Sequence, residues 1–221
     1  HIHVDVTDLD VKDGQLARLL SNYMLVEHSF FSFAGNWRRD CGFCIQYSSG
    51  QADVSNIGEI LYTNITDSEL FRHLTRNLSK YQALNLNAIP RFGTVEFRHL
   101  TTTFDSQRII SWINLILALK SVTVNSLRLK DPLKALSDFG PEGVAREIFG
   151  PLYDRLNLGA FLDPTAMWEA CDNCVQLMAL GGTIKNEELV PDAWDALMPE
   201  NVNPLLLKKK KLISSKKRKA A

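Results

Sequence analysis

YQALNLNAIPRFGTVEFRHLTTTFDSQRIISWINLILALKSVT, residues 81–123, decides the fold. Residues 81–89 and 93–98 alternate between apolar and polar side chains, the period of a strand with one buried face. Pro90-Arg91-Phe92-Gly93 between them reads as a turn, so the two pieces are expected to form a hairpin. The pattern then changes. Asp105 suits the N-cap of a helix over 106–123, because its carboxylate can accept from the first free N–H groups. In that helix Ile109, Ile110, Trp112, Ile113, Leu115, Ile116, Leu117 and Leu119 are apolar nearly all round. A helix of that kind is usually enclosed, so this one is expected to be the most buried in the chain, with Trp112 against the sheet.

Working outward, residues 1–6, HIHVDV, alternate strictly. Ile2, Val4 and Val6 share one face and His1, His3 and Asp5 the other, as in a half-buried strand. Asp13-Gly14 breaks the chain, and residues 15–31 carry Leu16, Leu19, Leu20, Tyr23, Met24 and Phe30 at helical spacing. Thr66-x-x-Glu69 fits a capping box ahead of a short helix over about 67–77. From 131 to 200 short helices are expected between Pro132, Pro141, Pro151, Pro164, Gly181-Gly182 and Pro191. Strands paired near in sequence and helices segregated from them indicate an α+β fold, with a mainly antiparallel sheet and packed helices.

The chemistry follows from the strand period. Glu96 and Arg98 project together while Val95 and Phe97 hold the opposite face in the core. His1 and His3 project together in the same way. Imidazole and carboxylate are ligands for divalent cations, and a guanidinium is a two-pronged partner for phosphate or carboxylate. His1, His3, Glu96 and Arg98 are therefore expected to line one concave surface on adjacent or nearby strands. The plainer reading of each piece alone is a solvated His-x-His face and a cross-strand ion pair.

These motifs resemble the amidoligase family, ATP-dependent carboxylate–amine ligases of the glutamine-synthetase-like class. HIHVDV is similar to the family strand that carries a histidine pair. YQALNL followed by GTVEFRHLTTTFDSQRIISWINLI is similar to its longest motif, a tyrosine and asparagine strand, a T-[IV]-E-F-R strand, a threonine-rich turn, an aspartate and a Trp-bearing helix. The resemblance spans residues 1–120. It implies a glutamine-synthetase-like half domain over 1–123; by their own pattern, residues 124–200 are expected to form a helical region and the aperiodic residues 201–221 a flexible basic tail. It also implies ATP and Mg²⁺ (or Mn²⁺) as cofactors, and carboxylate and amine substrates joined in an amide or peptide bond. Carried over by position, His1 and Glu96 become metal ligands, and His3 a ligand or nucleotide-phosphate contact. Arg98 becomes the clamp on the acyl phosphate or the carboxylate, so Glu96 and Arg98 hold the catalytic roles. Softer matches are Glu27, where the family has an acidic residue, and Arg38-Arg39 ahead of Phe43-Cys44, with Arg39 taken as a cofactor contact. The family's early G-x-E-x-E strand has no counterpart ahead of His1. A start without methionine is expected of a processed, cut or partial chain.

The remaining features set the alternative. The tail holds eight of the 25 basic residues and no acidic one, so the body before it carries 17 basic against 25 acidic side chains, a net of −8. Such a tail resembles a nuclear-localisation or nucleic-acid-binding segment, or a solubilising one. It carries no interleaved aromatic for base stacking. The rival function is a structural, virion or assembly protein on an amidoligase-like scaffold, whose tail contacts nucleic acid or a partner. Cys41-x-x-Cys44 and Cys171-x-x-Cys174 have zinc-ligand spacing, but core packing is the plainer reading for cysteines in this setting. Four cysteines in 221 residues do not suggest a disulfide framework, which points to a reducing intracellular compartment, with the nucleus admitted by the tail. No apolar run approaches the roughly 20 residues that span a bilayer, so no membrane is expected, and no signal or transit peptide is visible.

Overall fold

The computed structural model describes residues 1–9, 15–35, 37–38, 41–47, 79–129 and 132–158. All of them lie in one compact unit, His1–Leu189. The expected helix at 67–77, Arg39, the second cysteine pair and the basic tail lie outside the described residues.

The strand period is met by a three-stranded antiparallel sheet of β1 (Ile2–Asp5), β2 (Leu84–Asn85) and β3 (Thr94–Phe97), in the order β1-β3-β2. The register sets Ile2 opposite Phe97, His3 opposite Glu96 and Val4 opposite Val95, and on the other side of β3 it sets Leu84 opposite Phe97 and Asn85 opposite Glu96. Because side chains alternate, one face collects Leu84, Val95 and Phe97, all buried, and the other collects His3, Asn85 and Glu96.

The hairpin differs from its expected form. The strand expected over 81–89 pairs only at Leu84–Asn85, and the chain then turns through a 3-10 turn, Leu86–Ala88, into one helical turn, α2 (Ile89–Phe92). Asn85 caps the 3-10 turn by accepting from the Asn87 N–H at 3.0 Å. Pro90 falls in the first turn of α2, where its fixed φ suits a helix and its missing N–H costs nothing. Gly93 ends α2 at φ +66, and a Cβ there would lie 2.5 Å from Thr7 Cγ2. Glycine thus meets both the left-handed backbone and the close approach of β1's end.

Helix α1 (Gln15–Ala34) is longer than its apolar period suggests. It is buried without interruption from Leu19 to Phe31, including Ser21, Asn22, Glu27, His28 and Ser29. Rings from α1 reach the sheet: Tyr23 and Phe30 sit 6.1 Å and 5.7 Å from Phe97 between centroids. On its other sides α1 meets α3 (Ser106–Asn125) and α4 (Pro132–Phe149). Arg108, in the first turn of α3, donates through Nη2 to the carbonyls of Phe33 (2.9 Å) and Ala34 (3.2 Å). This satisfies oxygens that the end of α1 leaves without helical partners. Lys120 fastens the far end of α3 to β1, donating to the Asp5 carbonyl at 2.7 Å and pairing with Asp8 at 2.8 Å.

Asp105 caps α3 as expected, its carboxylate accepting from the N–H groups of Gln107 and Arg108. The burial expected of α3 is not found. Ile110, Ile113 and Leu117 are 49%, 37% and 50% exposed, and α1 occupies the enclosed position instead. The reason is geometric, since α1 lies between the sheet and two helices, whereas α3 packs on α1 and α4 and turns its remaining side outward. Trp112 is buried, but against α1 more than against the sheet. Its ring stacks on Phe33 at 5.9 Å and meets Phe30 edge-on at 5.4 Å. Beyond α3, the prolines open helices rather than only ending them: Pro132 begins α4 and Pro151 begins α5 (Pro151–Arg155), while α4 itself kinks at Gly140, just before Pro141. Among the described residues no helix is long and apolar enough to cross a membrane.

Two substitutions one residue apart test this arrangement. Trp112→Ala is expected to lower unfolding free energy by about 3–5 kcal/mol, the cost of emptying a large aromatic site. Ile113→Asp is expected to cost no more than about 1 kcal/mol, in keeping with a surface position. Urea denaturation followed by circular dichroism checks both, and equal losses would place Ile113 inside the core.

Candidate functional site

The register of β1 on β3 brings most of the sequence-predicted side chains to one face. Glu96 is the centre of the group and is only 7% exposed. Its Oε1 meets Nδ1 of His1 at 2.5 Å. Its Oε2 accepts from the Asn85 side-chain amide at 2.7 Å and lies 3.4 Å from Arg98 Nη1. Both carboxylate oxygens are therefore engaged, which is what a buried carboxylate requires. The Arg98 guanidinium is held further by donation from Nη1 to the Lys80 carbonyl at 3.0 Å, and its buried Nε has no hydrogen-bond partner.

His3 shares the face but not the cluster. Its Nδ1 pairs with the Thr94 hydroxyl at 2.9 Å, and its ring meets Phe92 edge-on at 5.9 Å. Among the described residues no group of three or more His, Cys, Asp or Glu side chains converges as a metal site. His1 and Glu96 come together as expected, while His3 stands beside them with other partners. Arg39, expected as a cofactor contact, lies outside the described residues. Its neighbour Arg38 has a structural task, donating from Nε to the His99 carbonyl at 3.0 Å and from Nη2 to the Arg98 carbonyl at 2.8 Å. It thereby pins the backbone that presents Arg98.

Three residues at this site received no role from the sequence. Asn85 orients Glu96, Lys80 supplies a carbonyl to Arg98, and the Tyr81 ring lies 6.0 Å from the Arg98 guanidinium carbon. Tyr81 and Asn85 were legible as the polar members of YQALNL, but their chemistry depends on a register that the motif does not state.

Behind the sheet, on its core side, runs a buried polar chain. The Tyr23 hydroxyl donates to Glu27 Oε1 at 3.0 Å and meets His99 Nε2 at 2.7 Å. The Tyr47 N–H donates to the same Glu27 oxygen at 2.9 Å. The Tyr23 donation to Glu27 assigns the proton of His99 to Nε2, leaving Nδ1 as an acceptor without a partner. Burial, reinforced by the Arg38 charge, holds the His99 imidazole down to about 3, so it is neutral. Burial and the Glu27 charge push the Tyr23 phenol well above its usual value. Glu27, a soft match to the amidoligase pattern, is thus a buried anchor between α1 and the 41–47 segment, away from the Glu96 face. Cys44 is buried and packs with Phe31 and Ala83, with Cys41 at the edge of the group. Its thiol is pushed up to about 12, chiefly by burial, so it serves the core as a neutral side chain.

Comparison with family models, curated proteins and solved structures finds no match to this chain.

The His99 environment generates a pH dependence with a definite sign. The unfolded chain takes up a proton at His99 near 6.5, whereas the folded chain refuses it until about 3. Stability contributed by neutral His99 is therefore complete above pH 6.5 and lost as pH falls through that window, with a slope of up to about 1.4 kcal/mol per unit. In His99→Phe, which leaves Tyr23 its Glu27 acceptor, the slope between pH 6.5 and 4 should flatten by that amount. Urea midpoints measured across the range read it directly, and an unchanged slope would mean that His99 titrates normally.

Proposed function

We propose that this chain carries the core of an ATP-dependent carboxylate–amine ligase, the activity implied by its resemblance to amidoligases. One observation carries the reading: His1 and Arg98 both contact the Glu96 carboxylate, one at each oxygen, on a single sheet face backed by an apolar face of Leu84, Val95 and Phe97. Imidazole, carboxylate and guanidinium side by side are suited to handling a phosphorylated carboxylate.

The donors fit a divalent cation that keeps much of its coordination for phosphate and water, as Mg²⁺ does with one or two protein ligands. His1 and Glu96 would hold it, and when bound it would neutralise clustered phosphate charge. The chain's own groups do the rest. Asn85 and Arg98 fix the Glu96 carboxylate through Oε2, leaving Oε1 to exchange its His1 contact. The Arg98 guanidinium, held by Glu96 and the Lys80 carbonyl, brings a fixed positive charge to this face that can draw a phosphate or carboxylate oxygen. In the reaction a substrate carboxylate oxygen attacks the terminal phosphorus of ATP and ADP leaves. The amine then attacks the acyl carbon, loses a proton, and phosphate departs. Water must be kept out so that the amine is the nucleophile.

A second reading, a binding or assembly protein on this scaffold, is favoured by one fact: among the described residues only two candidate ligands meet, and no third joins them. Phosphate release by the full-length protein, with a panel of carboxylates and amines and with or without EDTA, separates the two. The ligase requires turnover that EDTA stops. Glu96→Gln should abolish it with the fold intact, because the amide keeps the shape and loses the charge that attracts a hard cation. Arg98→Lys should lower it by about a hundredfold or more, since lysine lacks the planar pair of donors. Absence of both turnover and cation-dependent nucleotide binding would leave the assembly reading.

A further inference from the structure

The polar cluster continues into an aromatic ledge. The Tyr81 ring is partly exposed and lies 5.1 Å, edge to face, from Phe43, whose ring is 63% exposed. The ammonium of Lys80 stands 5.0 Å from the Tyr81 centroid, and the Arg98 guanidinium carbon 6.0 Å. The ledge is held in place by backbone pairing just outside the sheet. Ile45 and Gln82 form a parallel bridge, the Ile45 N–H donates to the Tyr81 carbonyl at 2.8 Å, and the Ala83 N–H donates to the Ile45 carbonyl at 2.8 Å. These bonds join the segment bearing Phe43 to the segment bearing Tyr81. The ring surface is thus supported by backbone rather than by loose side chains.

An exposed phenyl ring on a rigid support offers a flat apolar face on which a planar aromatic group can stack. Here the flanking groups are cations, the exposed Lys80 ammonium and the Arg98 guanidinium. A ligand that satisfies both features is planar and aromatic at one end and anionic at the other. We propose that Phe43 and Tyr81 form a stacking ledge for the base of a nucleoside phosphate, whose phosphate is drawn to Lys80 and Arg98. The assignment extends the ligase site proposed above and rests on that reading. It names the side of the cluster from which the nucleotide enters.

The probe is adenosine 5′-monophosphate, titrated without divalent cation onto the full 221-residue chain and followed by saturation-transfer NMR. Transfer should be strongest at the base protons. Phe43→Ala, at an exposed position that leaves the core intact, should weaken binding by about tenfold or more, the usual effect of removing one stacking ring. Lys80→Ala should weaken it less, and more at low salt than at high. Adenosine should bind more weakly than the monophosphate, and ribose 5-phosphate should not bind measurably. Equal binding by wild type and Phe43→Ala, or equal binding of ribose 5-phosphate, overturns the ledge. So does Phe43-dependent binding that a single-stranded oligoadenylate achieves far more tightly than the mononucleotide, since the occupant would then be nucleic acid. The two proposals fail separately. Metal-dependent ATP turnover with an unchanged KM for ATP in Phe43→Ala removes the ledge and keeps the ligase. Phe43-dependent binding of the monophosphate without turnover on any substrate keeps the ledge and removes the ligase.

Discussion

The pairing of His3 with Glu96 across β1 and β3 is the constraint on which the rest depends. Because side chains alternate at every residue, a slip of one position would turn Val4 out of the core and carry the histidines to the opposite side of the sheet. The native register places apolar against apolar, Ile2 with Phe97 and Val4 with Val95. Hydrophobic burial on one face therefore selects the polar constellation on the other. The site is inherited from packing, and the charges need not attract each other strongly for it to form.

The same economy is visible in α1. A helix enclosed on several sides must bury polar groups at some positions of its circumference, and here these include Asn22, Glu27 and His28. Leaving such groups unpaired would cost several kcal/mol each. Glu27 avoids that through the Tyr23 hydroxyl and the Tyr47 N–H, and the network also ties α1 to His99, directly after β3. Arg38 closes the arrangement from outside by bonding the carbonyls of Arg98 and His99. The residue that presents its guanidinium to the site is consequently held at its backbone from one side and at its side chain by Glu96 and the Lys80 carbonyl.

A preorganised guanidinium beside an oriented carboxylate is a suitable arrangement for phosphoryl chemistry, because the site need not reorganise as charge moves. It also resembles the ion pairs that merely brace a sheet. Beside this pair lies the Phe43 ring, 63% exposed, with Tyr81 edge-on at 5.1 Å and the Lys80 ammonium close to Tyr81.

By itself the sequence determined the strands of HIHVDV and TVEF, the capped start of α3 at Asp105, and the shared face of Glu96 and Arg98. These follow from local periodicity and from one side chain reaching its own backbone. Tertiary structure decided which helix is enclosed. α3 is apolar nearly all round yet leaves Ile110, Ile113 and Leu117 exposed, while α1 buries a glutamate and a histidine. Hydrophobicity states what a helix tolerates, but the number of elements packed around it sets how much of it is covered. Tertiary structure also decided that His3 turns to Thr94, 91 positions away, while Asn85 serves Glu96, 11 positions away, because the register of one strand on another is absent from any local pattern.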